Sequence, residues 1–385
     1  MSIKVDPNLM KDLRHFGLKD ADKCMHCGNC TAVCPLSTED NPFPRKLIKY
    51  AHMGLADKIL KSPEPWLCYY CGDCSDNCPR GAEPGEAMMA MRRYLTSKYD
   101  WTGFARKFYT SETFEIIAVA IVAIFVGLAL MLFHAGSPNM EHAHLNSVWP
   151  ASAIEIADLI MAAILTFLLL SNTYRCARFQ MGDLLFKIPL GIYIRQAKEL
   201  VIHFLTQKRF SECTDKMQWL VHLLIMTGYS TVFLLVAVFL AGGLEVIGLA
   251  WEPIAFQRDV IYPIYHPMRL LGYYATFAIF YGTTYAMIGR IRKKKAPYKN
   301  SHGTDWMFLI LLQLTTLTGI LIHFTRLLDW PMPTYTLYVI HLMVAVPMLV
   351  LEVPFAKWAH LAFRPVTIFL IKVREAYQKE MQTFA

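Results

Sequence analysis

The stretch CMHCGNCTAVCP at residues 24–35 returns as CYYCGDCSDNCP at residues 68–79. Both read Cys-x2-Cys-x2-Cys-x3-Cys-Pro, a spacing that serves [4Fe–4S] clusters. Three thiolates two residues apart wrap three corners of a cubane, because a tight loop turns successive sulfurs inward. The fourth, followed by proline, leaves on another path and in two-cluster proteins serves the other cluster. The repeat therefore assigns Cys24, Cys27, Cys30 and Cys78 to one centre, and Cys68, Cys71, Cys74 and Cys34 to a second. Gly28 and Gly72 occupy equivalent places and allow the backbone close to sulfide. Zinc also binds paired thiolates, but four cysteines in one short run do not suit two separated zinc knuckles.

Around this unit the composition is that of a chain partly dissolved in lipid. Of 385 residues, 55% are hydrophobic and only 18% charged, below the ~25% usual for soluble domains. A wholly soluble enzyme, a disordered tail and a collagen-like fibre are excluded. Eight of the ten cysteines lie between Cys24 and Cys78, and residues 1–112 carry 16 Lys/Arg and 14 Asp/Glu, an ordinary soluble density. The sequence thus reads as a soluble head over residues 1–95, an interfacial neck over 96–113 and a membrane body over 114–385. The 33 residues between Cys34 and Cys68 are too many for a compact β-type ferredoxin. Helical rhythm at Leu47, Ile48 and Ala51, and again over residues 86–98, favours an α-helical ferredoxin-like head in a mainly α chain. His52 reads as a surface histidine, and the neck's Trp101, Phe104, Phe108 and Tyr109 suit a lipid interface.

Six apolar stretches approach the ~20 residues needed to cross a bilayer: 114–133, 152–172, 219–241, 268–289, 306–328 and 334–356. Segments 174–216, 290–304 and 357–385 hold 19 Lys/Arg, whereas the intervening segments hold one, Arg258. The positive-inside rule then expects both termini in the cytoplasm of a multi-pass inner-membrane protein. The polar start at residues 1–23 offers no signal peptide, so the head is expected in a reducing compartment where clustered cysteines bind metal. The net charge of +8 is accounted for by this membrane face, and no nucleic-acid partner is expected. Residues 184–207 read as an interfacial amphipathic helix, with Cys176 and Cys213 as small buried or interfacial thiols.

Imidazoles within spans are functional suspects. His222 lies early in the third span, His323 late in the fifth, His341 in the sixth and His266 at the mouth of the fourth. Each could simply bond a neighbouring helix, but several beside an iron–sulfur head favour a b-type haem, since the chain has no CxxCH. A six-helix transmembrane cytochrome b bundle is expected.

Residues 24–78 resemble the C subunit of heterodisulfide reductases. Residues 210–365 resemble the gamma, cytochrome b subunit of respiratory nitrate reductases, on His323, His341 eighteen residues later, and Pro354-Phe355-x-Lys357. The fusion is similar to the C subunit of the quinone-interacting membrane-bound oxidoreductases of sulfate reducers. The resemblance implies one haem held by His222 and His341, with His323 supporting a second. The family's further histidine, ten residues after the first, is Val232 here, which leaves His266 as substitute. It also implies two soluble flavin/iron–sulfur subunits on the head and delivery to adenylylsulfate reductase. No GxGxxG or P-loop is visible, and no adjacent Cys-Cys pair.

The leading expectation is an electron-transfer subunit between menaquinone and soluble partners, with two [4Fe–4S] clusters and one or two b-type haems. A quinone site is expected at Arg269, Arg326 and Asp329, although Arg and aromatic residues at span ends are also ordinary anchors. The alternatives are a heterodisulfide-reductase-type or sulfite-pathway conduit and, from another class, an ion transporter with a redox-sensing head. Glu155, Asp158 and Glu352 would be the transporter's proton sites.

Overall fold

The computed structural model describes residues 4–134, 136–213, 215–236 and 260–383. Among these the chain is helical with no strand. The cysteine runs form two matched turns. In each, the residue before the second cysteine (His26, φ 55°; Tyr70, φ 58°) and the glycine after it (Gly28, φ 95°; Gly72, φ 98°) take left-handed backbone. Only glycine adopts that conformation freely, which is why Gly28 and Gly72 recur. Each glycine caps one short turn of helix, Asn29–Ala32 or Asp73–Asp76. Helix α1 (Pro84–Tyr99) closes the head behind them and runs past the expected boundary at residue 95.

The head is not a separate ball. Its core of Leu9, Leu13, Phe16, Leu47, Trp66, Met88 and Tyr94 also takes in Cys176, Ala359 and Phe363 from the body. The neck forms a short helix, Phe104–Thr110. Its Phe108 is buried against Phe114 and Phe355, and Tyr109, expected at the lipid interface, is instead buried in the head's core, while Trp101 and Phe104 stay exposed.

The body comprises α2 (Glu112–Leu132), α3 (Ala151–Met181), α4 (Leu190–Thr206), α5 (Lys216–Leu234), α6 (Pro267–Arg292), α7 (Gly303–Leu327), α8 (Pro331–Pro347) and α9 (His360–Thr383). Among the described residues five helices are long and apolar enough to cross a membrane: Glu112–Leu132, Ile156–Met181, Lys216–Leu234, Gly303–Leu327 and Pro331–Phe355. The expected fourth span is α6, which has a span's length at 26 residues. Its tyrosines, threonines and arginines hold it below the apolarity of the other five. The far end of the expected third span, beyond residue 236, and Arg258 lie outside the described residues, as does the side chain of Glu155.

Helices α5 and α6 run antiparallel at close range. A Cβ at Gly282 would stand 2.4 Å from Ile225 Cγ1, and one at Gly228 would stand 3.1 Å from the Ala275 carbonyl oxygen. Small residues at such crossings let membrane helices gain dispersion contact. Gln313 on α7 then joins α6 through Thr283 and through Thr284 Oγ1 at 3.1 Å. The expected interfacial helix is α4, with Leu190, Ile194, Val201 and Leu205 exposed and Ile192 packed on Leu370 and Val373 of α9.

Candidate electron-transfer site

The eight motif cysteines fall into two sets by proximity. Cys30 is pushed up first by burial and then by its neighbours Cys24, Cys27 and Cys78. Cys74 is pushed up by burial and by Cys68, Cys71 and Cys34. Cys34 is pushed up to about 12 by burial, against a hydrogen bond from Leu36 N–H, with Cys68 and Cys71 adding to it. Cys30 of the first run bears more weakly on Cys34 and Cys74, but Cys34 lines one pocket with Cys68, Cys71 and Cys74, so the fourth cysteine of each run lies beside the other run's triplet. Backbone N–H groups point at sulfur, from Tyr70 to Cys68 Sγ and from Ala82 to Cys78 Sγ, both at 3.3 Å. Such donors suit thiolates binding iron. Among the described residues no three His, Cys, Asp or Glu side chains close on a single metal ion. A cubane spreads its corners and does not ask for that.

Each set has one buried member, Cys30 or Cys68, but only the first has an exposed one, Cys27, and the Cys68 carbonyl accepts from Arg364 Nη2 at 3.0 Å. The first set faces outward and the second faces the body. His52 corrects the surface assignment. It is half-buried, its Nδ1 lies 3.0 Å from His26 Nε2 and its Nε2 lies 3.1 Å from the Ala21 carbonyl. Cys213, from the α4–α5 loop, stands against Cys71 and lines the same pocket as Cys34, Cys68 and Cys74. Its contact lowers the Cys71 thiol against burial, and its own is pushed up in turn. Nothing in the motif spacing points to it.

Between the second set and the body lies a cavity of about 240 Å³, walled by Phe210, Tyr229 and Trp358 and rimmed by Arg92, Arg290, Lys357 and Arg364. His222 and His360 both line it, with ring centroids 6.0 Å apart. His222 Nδ1 lies 2.9 Å from Gln207 Oε1, and His360 Nδ1 lies 2.5 Å from the Lys357 carbonyl. Each ring therefore has one nitrogen committed to an oxygen acceptor and Nε2 left over, the arrangement that orients imidazole ligands. Burial, reinforced by Arg364 and His222, holds His360 well below the usual histidine range, so it is neutral. Arg92 Nη2, Arg290 Nε and Arg364 Nε are buried without a partner. They are donors of the kind that a haem's two carboxylates require, so the residues present fit the group. Tyr69 links the two regions, stacked on Phe210 at 4.7 Å with Arg364 3.9 Å above its ring.

The structure sets His360, not His341, against His222. His341 Nδ1 bonds Thr318 Oγ1 at 2.8 Å on α7, and it does not border the cavity. Sequence reasoning missed His360, although it follows the Pro354-Phe355-x-Lys357 pattern by three residues.

At the other end of the bundle a cavity of about 600 Å³ brings together Arg269, His323 and Arg326. His323 Nε2 lies 3.0 Å from the Tyr273 hydroxyl and 3.4 Å from Arg269 Nη2. His266 stacks on Tyr262 at 4.3 Å, beside this cavity and not in it. Asp329 does not join it either. Its carboxylate bonds His142 Nδ1 at 2.5 Å and Ala143 N–H at 2.7 Å, pinning the loop between α2 and α3.

Comparison with known proteins agrees with the head's geometry. The 4Fe-4S dicluster domain family matches residues 20–82. The head is a 4Fe-4S dicluster domain like that of heterodisulfide reductase C subunits. A heterodisulfide reductase C-subunit-like protein of Archaeoglobus profundus is 35% identical over 97 residues, which is 25% of this chain and 52% of that protein. The C subunit of the ferredoxin:CoB-CoM heterodisulfide reductase of Methanosarcina mazei is 37% identical over 98 residues, 26% of this chain and 57% of that one. The iron-sulfur C subunit of the CoB--CoM heterodisulfide reductase of Methanopyrus kandleri is 29% identical over 99 residues, covering 26% and 47%. The chain spans about half the length of these curated relatives. No solved structure matches it. A dicluster domain fits electron transfer, and in this chain it is packed on helices long and apolar enough to cross a membrane.

Proposed function

We propose that the chain carries electrons between menaquinol in the bilayer and soluble flavin/iron–sulfur partners. The carriers are a b-type haem near the head and the two [4Fe–4S] clusters. The observation that supports this most directly is the contact of Arg364 with Cys68, which joins the cavity of His222 and His360 to the second cysteine set. In this reading Cys68, Cys71, Cys74 and Cys34 hold the cluster nearer the membrane. Cys24, Cys27, Cys30 and Cys78 hold the outward one, where a soluble partner takes or gives the electron. His222 and His360 ligate the haem, which supplies one-electron redox chemistry when bound. His341 is the candidate ligand of a second haem, and His323 with Arg269 and Arg326 borders the quinone site. The chain's own groups orient the imidazoles, neutralise carboxylates and keep water out. Sulfate respiration, with two soluble flavin/iron–sulfur subunits and adenylylsulfate reductase downstream, is the setting that the head–body fusion suggests. The names of the curated relatives favour a second reading, a heterodisulfide-reductase-type conduit, and the soluble proteins that co-purify with the chain decide between the two.

The test is iron and haem analysis of the purified full chain with low-temperature electron paramagnetic resonance. Wild type should carry about eight non-haem irons, four per cubane, and a low-spin bis-imidazole haem. His222→Ala and His360→Ala should each abolish one low-spin signal, and His341→Ala should leave that signal in place. Full haem with an unchanged spectrum in His360→Ala refutes the pairing. Arg326→Leu should slow haem reduction by a menaquinol analogue while dithionite still reduces it fully.

A further inference from the structure

Two buried carboxyl groups at the head side of the bundle take no part in the electron path. Glu115, on the first turn of α2, is 1% exposed. Glu352, at the end of the widened π turn Met348–Glu352 that follows α8, is 0% exposed. The two carboxyls are close neighbours, each bearing on the other. Glu352 Oε2 accepts from the Lys357 backbone N–H at 3.3 Å. Glu115 Oε1 and Glu352 Oε1 are buried and find no donor.

The surroundings do not balance two negative charges. Glu112 and Asp305 bear on Glu115, and Asp305 also bears on Glu352, as does Tyr109 from the neck. The nearby cation, Lys357, gives its ammonium to Asp305. Two carboxylates in contact away from water repel strongly, and one of such a pair keeps its proton. A proton held between the carboxyls gives their contact the donor that two carboxylates lack, and so lowers the desolvation cost that unpaired buried acceptors carry.

We propose that Glu115 and Glu352 hold one proton between them at neutral pH and form a proton store for redox events in the neighbouring cavity. Tyr109, Asp305 and Lys357 face both the pair and that cavity, so a negative charge arriving there is felt at the pair. When one electron from the iron–sulfur head or from quinol reduces the acceptor in the cavity, the pair takes one proton from water on the head side. One O–H bond forms on a carboxylate and the electron stays on the acceptor. Reoxidation reverses both. The proton store rests on the haem reading of that cavity; the shared proton itself does not.

Infrared spectroscopy of the purified full chain tests both statements. The resting protein should show a protonated-carboxyl C=O band that shifts in D2O and disappears in Glu115→Gln and in Glu352→Gln. Electrochemical reduction should increase that band in wild type. The midpoint potential of the cavity acceptor should vary with pH in wild type and lose that dependence in the Glu115→Gln/Glu352→Gln double variant, which retains shape and hydrogen bonding. Absence of a protonated-carboxyl band at rest, or its survival in both single variants, overturns the shared proton. A band indifferent to reduction reduces the pair to a clasp between helices and overturns the store. A chain that lacks haem but shows the resting band overturns the function proposed above while upholding the shared proton.

Discussion

At the scale of single residues, the most informative placement is that of each run's last cysteine. Cys34 lies with Cys68, Cys71 and Cys74, and Cys78 lies with Cys24, Cys27 and Cys30. Replacing Cys34 by serine should therefore damage the cluster next to the membrane body and leave the outward one. The spectrum and potential of the remaining cluster, with iron falling from about eight toward four, check this; loss of the outward cluster alone contradicts crossed ligation. His142 offers a pH-dependent counterpart. Its hydrogen bond and charge contact with Asp329 raise it above the usual histidine value. A group whose folded value is raised contributes stability at pH below its unfolded value, near 6.5, and loses it as pH rises through the folded value. The loop over residues 139–144 should exchange its amide hydrogens less readily at mildly acid pH than above neutrality, after correction for intrinsic exchange. Asp329→Asn should abolish the difference.

At the scale of elements, the cysteine turns were legible because their geometry is local: spacing and one glycine each determine the path of a few residues. The spans were legible from apolar length, and α6 shows the limit of that criterion. It has a span's length and packs against α5 with glycines at the crossing, yet its tyrosines and threonines dilute its apolarity. Gly282→Leu should force these two helices apart, because its first added carbon already meets Ile225 Cγ1 at 2.4 Å. Overpacking of this kind costs about 1–3 kcal/mol. A lower melting temperature of the full chain in detergent is the expected outcome.

At the scale of the whole molecule, head and body are joined by buried ions as well as by apolar surface. Arg93 bonds Glu86 Oε1 at 2.9 Å and the Phe16 carbonyl at 2.8 Å, and lies 3.9 Å from Asp305, which also pairs with Lys357. Trp66 and Tyr99 meet Phe363 at 5.2 and 5.3 Å. Asp305→Asn takes the anion from Lys357, whose side chain is 33% exposed, while Arg93 keeps Glu86, so the cost should fall below the roughly 3–5 kcal/mol of breaking a fully buried pair. The full-length variant should melt earlier and be cut by protease in the neck at lower temperature. An unchanged melting curve and cleavage pattern would show that the apolar contacts suffice.

The sequence by itself determined the class of this protein: two cubane motifs, a helical head and an apolar helical body. Each follows from short-range pattern, in which spacing along the chain is also spacing in space. It did not determine which groups meet between elements. His360 rather than His341 faces His222, Cys213 stands at Cys71, and Glu115 meets Glu352, because helix rotation, depth and the π turn before Pro354 decide those encounters. A register change of one residue turns a helical side chain by about 100°, so such pairings are decided only when the whole bundle has packed.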